Sequence, residues 1–386
     1  MSNIDKRRRQ MIKVGGAGAF AAGLAGCLGG GNGDGGQGTT TDGGDGTTEG
    51  GDAGTTEGGK TTQSGDSLDV GMVYATGGLG DNSFNDMAHK GIKQAKSEFG
   101  LSFRNTEPGN PTEVGTLQRK LAQSSNPNYD LICCIGFVQA DPLARNAQRF
   151  SDQKFTIVDE SVDQPNVASY RFKEHQGSFQ VGHLAGLLTD MDFSAGKGKT
   201  NGDLTVGFVG GKETPLIQKF EAGYKAGVKH ANSDIKVLSA YAGAWNDPAQ
   251  GQSITNSMIS NGADIVYHAA GGTGTGVFKA AQSKGRFAIG VDADQSKTLP
   301  KYSNVILASM VKRVDEAVYR SAQNVQNGSF KGGTTQTLGL KEKGVAAVYG
   351  QQLGSKIPED VKSKLQKSRK KVVAGDISVP KKPGKV

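Results

Sequence analysis

From Leu68 onward the chain repeats one unit: a short apolar run, a polar turn rich in glycine or aspartate, then a stretch with helical periodicity. The apolar runs are Leu68–Tyr74, Leu131–Gly136, Phe155–Asp159, Val167–Arg171, Leu204–Val209, Ile235–Ala240, Ile265–Ala269, Phe287–Val291 and Val305–Met310. Between them the spacing predicts helices over Phe84–Phe99, Val114–Ser124, Asp141–Phe150, Gln176–Asp190, Pro215–Ala231, Pro248–Asn261, Gly276–Lys284 and Lys312–Gly328. Strands that alternate with helices build parallel sheets through right-handed crossovers. About 320 residues exceed one hydrophobic core and favour two lobes. Ligands of such sheets bind beyond the carboxyl ends of the strands. The turns that follow each strand are therefore where function is to be sought.

The first 66 residues follow a different logic. Arg8-Arg9 precedes a weakly apolar run, Val14 to Gly26, which ends in Leu24-Ala25-Gly26-Cys27. Basic, then apolar, then small residues is the order of an export signal. The apolar run is too short to cross a bilayer, which takes roughly 20 residues. The pair of arginines resembles a Tat (twin-arginine) signal. Leu-Ala-Gly-Cys resembles a lipobox, with Cys27 as the lipidated first residue of the mature protein. Residues 28–66 are nearly all Gly, Thr, Asp and Glu, and cannot bury enough surface to offset their ordering entropy. Such a tether spans roughly 30–40 Å root-mean-square. The expected organisation is a signal over 1–26, a lipid-anchored tether over 27–66, and a globular remainder.

Charge divides along the same boundaries. Of the net +8, residues 1–26 carry +4 and residues 27–66 carry −6, which leaves +10 for 67–386. A basic balance raises the question of nucleic acid. The cations are dispersed, apart from Lys362–Lys371 and Lys381, Lys382 and Lys385, and no aromatic platform is interleaved with them. A solvated surface or an approach to anionic lipid fits better, and no nucleic-acid partner is expected. The tether resembles those of haloarchaeal surface lipoproteins, whereas the excess base argues against an acid-rich halophilic proteome. Besides Cys27 the chain has only Cys133 and Cys134, adjacent in an apolar run. Neighbours on a strand point to opposite faces, so two buried free thiols are expected. No metal-ligand spacing is present, and no cofactor is expected.

The strand-end turns carry the polar and aromatic groups. They include Asp81-Asn82-Ser83-Phe84-Asn85, Asp141 after Gly136-Phe137-Val138-Gln139-Ala140, Trp245-Asn246-Asp247-Pro248, Gly271–Gly276 and Asp292-Ala293-Asp294-Gln295. Each has a plain structural reading. Asp81 and Asp141 fit as helix caps, and Trp245 as a packing residue before a helix start. Gly271–Gly276 lacks both the Gly-Lys-Ser/Thr ending of a P-loop and the dinucleotide spacing. Close backbone approach to a ligand suits it better. The five histidines are scattered, without a nucleophile beside them.

Taken in order, these segments resemble the basic membrane protein (BMP) family of lipoproteins, the PnrA-like nucleoside-binding components of ABC importers. The resemblance rests on Asp81–Asn85, Val206–Gly211, Pro215–Tyr224, Trp245–Pro248, Ala269–Gly274, Ile289–Gln295 and Ser309–Asp315. It implies an α/β, two-lobed type I periplasmic-binding-protein fold, with parallel sheets flanked by helices, three hinge crossings and a ligand cleft. By that analogy lobe 1 is 67–172 with 309–328, and lobe 2 is 173–308 with 329–386. Carried over, the family's site places Phe84 and Trp245 as stacking rings on a purine, and Asn85 and Asp141 on the base. Asp292 and Lys312 fall on the ribose, and Asp81 and Gly272 in the lining. The implied partners are a nucleoside, ABC permease and ATPase subunits, and the membrane, reached through lipid on Cys27. The implied state is a monomer on the extracellular face. Two other readings remain at this stage: another small polar or aromatic cargo, and a sensory surface protein using the same cleft. An enzyme built on Asp292 and Asp294 is disfavoured, because alternate residues diverge and no cofactor fingerprint accompanies them.

Overall fold

The computed structural model describes residues 67–385; the expected export signal, Cys27 and the expected tether lie outside them. The first stretch runs β1 (Asp69–Val73), α1 (Phe84–Phe99), β2 (Ser102–Thr106), α2 (Val114–Ala122), β3 (Leu131–Ile135), α3 (Ala140–Arg149), β4 (Phe155–Val158) and β5 (Val167–Phe172). The chain then crosses into α4 (Glu174–Thr189), a short hairpin of β6 (Ser194–Ala195) and β7 (Gly198–Lys199), β8 (Thr205–Gly210) and α5 (Pro215–Ala231). There follow β9 (Lys236–Tyr241), α6 (Pro248–Ser260), β10 (Ile265–Ala269), α7 (Gly274–Lys284), β11 (Phe287–Asp292), α8 (Gln295–Thr298) and β12 (Ile306–Lys312). The last elements are α9 (Val314–Gln326), β13 (Thr334–Leu338), β14 (Val345–Tyr349) and α10 (Glu359–Ala374).

Two six-stranded sheets result, in the orders β13-β5-β4-β3-β1-β2 and β14-β12-β11-β10-β8-β9. The first is parallel throughout. The second is parallel except for β14, which runs antiparallel to β12. The chain passes between lobes three times: after β5, after β12, and between β13 and β14. This corrects the expected lobe boundaries. Residues 309–312 finish β12 in the second sheet, and the helix expected from Lys312 begins at Val314. Residues 334–338, expected in lobe 2, form β13 on the edge of the first sheet. Their sequence, TTQTL, is exposed along most of its length, so no apolar pattern marked it as a strand. The same holds for β2, whose residues SFRNT form the other edge. Central strands β3, β8, β10, β11 and β12 are buried at every residue, as strands covered by helices on both faces must be.

Lobe 2 is organised around α4, which is buried along nearly its whole length and packs on α5. Glycines set the distance between the two helices. A Cβ on Gly182 would lie 2.2 Å from the Tyr224 carbonyl oxygen, and one on Gly223 would lie 2.1 Å from that of His175. α10 covers α4 with Val361, Leu365, Ser368 and Val372 and turns Lys364, Lys367, Lys370 and Lys371 to solvent. Its core residues are separated by charged ones at helical spacing, a weak signal in so basic a segment. Cys133 and Cys134 are free, buried, and belong to the apolar clusters on opposite faces of the first sheet.

Candidate functional site

The carboxyl ends of the two sheets face one cleft of about 670 Å3, its open mouth included. Lobe 1 contributes the turns after β1, β3 and β4, which bring Gly77, Phe137, Val138 and Asp159, together with Asp81, Phe84 and Asn85 at the start of α1. Lobe 2 contributes Phe220 on α5, Trp245 after β9, Ala270 and Gly271 after β10, Asp292 at the end of β11 and Lys312 at the end of β12.

Six of the eight ligand residues expected from the sequence meet here: Asp81, Phe84, Asn85, Trp245, Asp292 and Lys312. Gly272 is buried one residue beyond the wall, where Gly271 takes the lining place. Asp141 does not reach the cleft; it is exposed on the first turn of α3. The cause is local. After Gly136, at φ 106°, the chain makes a single 3-10 turn over Phe137–Gln139. Gln139 turns inward and donates from Nε2 to the carbonyls of Val73 (2.7 Å) and Ile135 (2.9 Å). Phe137 and Val138 are left on the wall, and α3 leads away.

Asp81 reconciles its two readings. Its carboxylate accepts from the backbone N–H groups of Ser83 (2.9 Å), Asn85 (3.0 Å) and Asp86 (3.2 Å), and so caps α1 from within the cleft wall. Burial pushes its pKa up to about 7, against the pull of those N–H groups. Asn85 accepts from Ala75 N–H at 2.9 Å and donates to Asp81 at 3.1 Å. One amide hydrogen of Asn85 is left for a ligand. The Trp245 indole lies over Gly211, where a Cβ would meet the ring at 2.4 Å. Trp245 and Phe84 are both half-buried.

The strongest electrostatic feature is Lys312. Its side chain is 1% exposed, and Nζ lies 2.5 Å from Asp159 Oδ1 and 3.4 Å from Glu174 Oε1. Three rings surround the ammonium, Phe84 at 5.0 Å, Phe172 at 5.1 Å and Phe220 at 5.6 Å to their centroids, in the range of cation–π attraction. Burial works to lower its pKa, but Asp159, Glu174 and Asp292 outweigh that and raise it. Glu174 also meets Lys219 at 3.7 Å. The cleft cation is thus already committed to carboxylates.

Asp292 receives a hydrogen bond from Ser83 Oγ at 2.5 Å across the cleft. Burial pushes its pKa up to about 6, with Lys312 and Ser83 pulling the other way. Asp292 (φ 62°) and Asp159 (φ 77°) both adopt left-handed backbone, which costs a non-glycine residue roughly 1–3 kcal/mol and gathers at functional sites. Asp294, by contrast, accepts from Ser296 Oγ (2.6 Å) and Gln351 Nε2 (2.8 Å) and does not line the cleft. The two carboxylates of the disfavoured enzyme reading do not converge. Asp159, Glu174 and Phe220 were missed from sequence. Asp159 carried a usable signal as an acid at a strand end, and Phe220 lies within the Pro215–Tyr224 segment that carries the resemblance; Glu174 had none.

Two α/β lobes that face one cleft with their strand ends define a small-molecule-binding protein of type I periplasmic-binding architecture. The chain belongs to the Bmp family: the model for ABC transporter substrate-binding proteins that are PnrA-like matches residues 68–383. It is 33% identical to the ABC transporter nucleoside-binding protein BmpA of Lactococcus lactis, across 82% of this chain and 90% of that protein. It is 34% identical to an uncharacterized lipoprotein of Pyrococcus furiosus, across 82% of each. The crystal structure of an ABC transporter solute-binding protein from Aeropyrum pernix matches with a TM-score of 0.72 and 28% identity, covering 81% of this chain and 94% of that one. A substrate-binding protein of this family serves permease and ATPase subunits and carries a small solute. Among the described residues no helix is long and apolar enough to cross a membrane.

Proposed function

We propose that this protein is an extracellular, lipid-anchored receptor that captures purine nucleosides and delivers them to its permease. The observation that carries the reading is the pairing of two half-buried rings, Phe84 and Trp245, with a buried carboxylate, Asp292, in a cleft whose cation is spoken for. Flat rings suit offset stacking on a base. A buried carboxylate suits charge-assisted hydrogen bonds from ribose hydroxyls. With Lys312 held by Asp159 and Glu174, the cleft favours a neutral solute over an anion. The nucleoside-binding relative from Lactococcus lactis supports the same class of cargo. Export through the twin-arginine signal and lipid on Cys27 would place the receptor on the outer face of the membrane, and the lipoprotein from Pyrococcus furiosus supports the anchor.

The test is calorimetric titration with nucleosides, free bases, ribose and nucleotides, after refolding to strip bound ligand. One-to-one binding of inosine, guanosine or adenosine at about micromolar Kd or tighter, near −8 kcal/mol, is the expected result, with bases, ribose and nucleotides much weaker. A folded protein that binds none of the nucleosides would overturn the reading of the cargo. For the anchor, mass spectrometry of membrane-extracted protein should find diacyl lipid on Cys27, and none after Cys27→Ser.

A further inference from the structure

Ser83 to Asp292 is not the only bond that joins the lobes directly. Gln295, on the first turn of α8, is 1% exposed and lies outside the cleft wall. Its carboxamide is oriented without ambiguity. Oε1 accepts from the Val291 backbone N–H at 2.8 Å, which can only donate, and meets His268 Nε2 at 2.9 Å. The amide nitrogen must therefore face the other way, and it donates to the Asn82 carbonyl of lobe 1 at 3.0 Å. The backbone N–H of Gln295 donates to Ser309 Oγ at 3.1 Å, which holds the residue to β12. Gly290 leaves the room: a Cβ there would meet Gln295 Oε1 at 2.7 Å. His268 is fully buried against Phe278, and burial pushes its pKa down to about 4, so the ring is neutral. For Oε1 to accept from it, the ring proton sits on Nε2.

We infer that Gln295 is a positioning residue for ligand capture: it clasps Asn82 across the cleft, sets Ser83 against Asp292, and so stabilises the closed form independently of any ligand. The two lobe-1 groups that meet lobe 2 here, the Asn82 carbonyl and the Ser83 hydroxyl, are on adjacent residues. Losing the first frees the second. Part of closure is then contributed by the protein, and a ligand has correspondingly less of the equilibrium to shift. The charged and titratable groups around the clasp on the lobe-2 side are Asp292 from β11, Asp294 beside Gln295, and His268 from β10. On the lobe-1 side they are Asp86 and Asp81, which accept from the backbone N–H groups of Asn82 (2.8 Å) and Ser83 (2.9 Å). Variants at position 295 share all of them, so the pH contrast between Gln295→Glu and Gln295→Met isolates residue 295.

The experiment uses the full chain carrying Gln295→Met or Gln295→Glu, with thermal melts to confirm folding. Small-angle scattering of the ligand-free protein is the first readout, and nucleoside kon and koff the second; only the second rests on the proposed cargo. One net hydrogen bond corresponds to about 2- to 10-fold in the closing equilibrium. Gln295→Met should enlarge the ligand-free radius of gyration and raise koff by about that factor with kon unchanged, while saturating ligand restores the closed radius. Gln295→Glu sets a carboxylate oxygen against the Asn82 carbonyl, and should open further at pH 8. It should reclose as pH falls toward 5, because its protonated carboxyl donates again, a recovery that Gln295→Met lacks. Ligand-free scattering identical to the parent in both folded variants at pH 8 would overturn the clasp. If the parent binds no nucleoside, the cargo reading fails, and scattering still decides the clasp.

Discussion

Replacing Asp292 by asparagine should stabilise the empty protein and disable it as a receptor. Burial raises the Asp292 carboxyl from 3.8 to about 6, so keeping it ionised in the folded chain costs up to about 3 kcal/mol. The sign follows from proton linkage. The folded state holds this proton more tightly than the unfolded state. The cost is therefore absent below about pH 4, grows as pH rises between 4 and 6, and is full above 6. Asparagine keeps the shape and can still accept from Ser83 Oγ, but has no charge to bury. The remaining charges of the cluster, Asp159 and Glu174 against Lys312 and Lys219, then balance. With an unfolding entropy of about 2.1 cal/mol/K per residue over about 320 residues, 3 kcal/mol is a rise in Tm of about 4–5 °C. Calorimetric melts of ligand-free parent and Asp292→Asn should show that rise at pH 7.5 and its disappearance near pH 4. Nucleoside affinity should fall by about 10- to 100-fold, as a charge-assisted bond becomes a neutral one. A variant that melts at or below the parent at pH 7.5 would refute the claim that this carboxylate is held at a cost.

Phe84→Ala and Trp245→Ala should each weaken nucleoside binding by about 10-fold or more through lost stacking and burial, read by titration, with little change in ribose binding. Lys312→Met removes the partner of two buried carboxylates and should destabilise the fold by about 3–5 kcal/mol at neutral pH, measured by denaturant unfolding. Gly182→Ala sets a methyl group against the Tyr224 carbonyl at 2.2 Å and should force α4 and α5 apart. Its expected cost is about 1–3 kcal/mol, read from the denaturation midpoint, and an unchanged midpoint would contradict the packing.

Legibility differed between the centre and the edges of the fold. Ile265–Ala269, Phe84–Phe99 and Pro215–Ala231 fall where the sequence places them, because a strand covered on both faces reads as an apolar run, and each of these helices begins at a marked turn. The edge strands β2 and β13 were invisible, since a strand that buries little needs no apolar pattern. That omission moved the lobe boundary, because β13 lies between the second and third crossings. In the site, residues carried on motifs at strand ends were recoverable. Asp141 was not, because the 3-10 turn at Phe137–Gln139 redirects the chain within three residues.

The sequence by itself determined the class of architecture, the family and six of the side chains that line the cleft, since periodicity and strand-end motifs are local. Tertiary structure alone decided how those groups are used. Lys312 lies 2.5 Å from Asp159 and 3.4 Å from Glu174, partners 153 and 138 positions away in the chain. Gln295 reaches Asn82 across 213 positions. Whether a buried lysine is free for an anion or already neutralised, and whether two lobes hold each other, depend on distances of a few ångströms between distant segments. Such distances exist only once two sheets have been set facing each other.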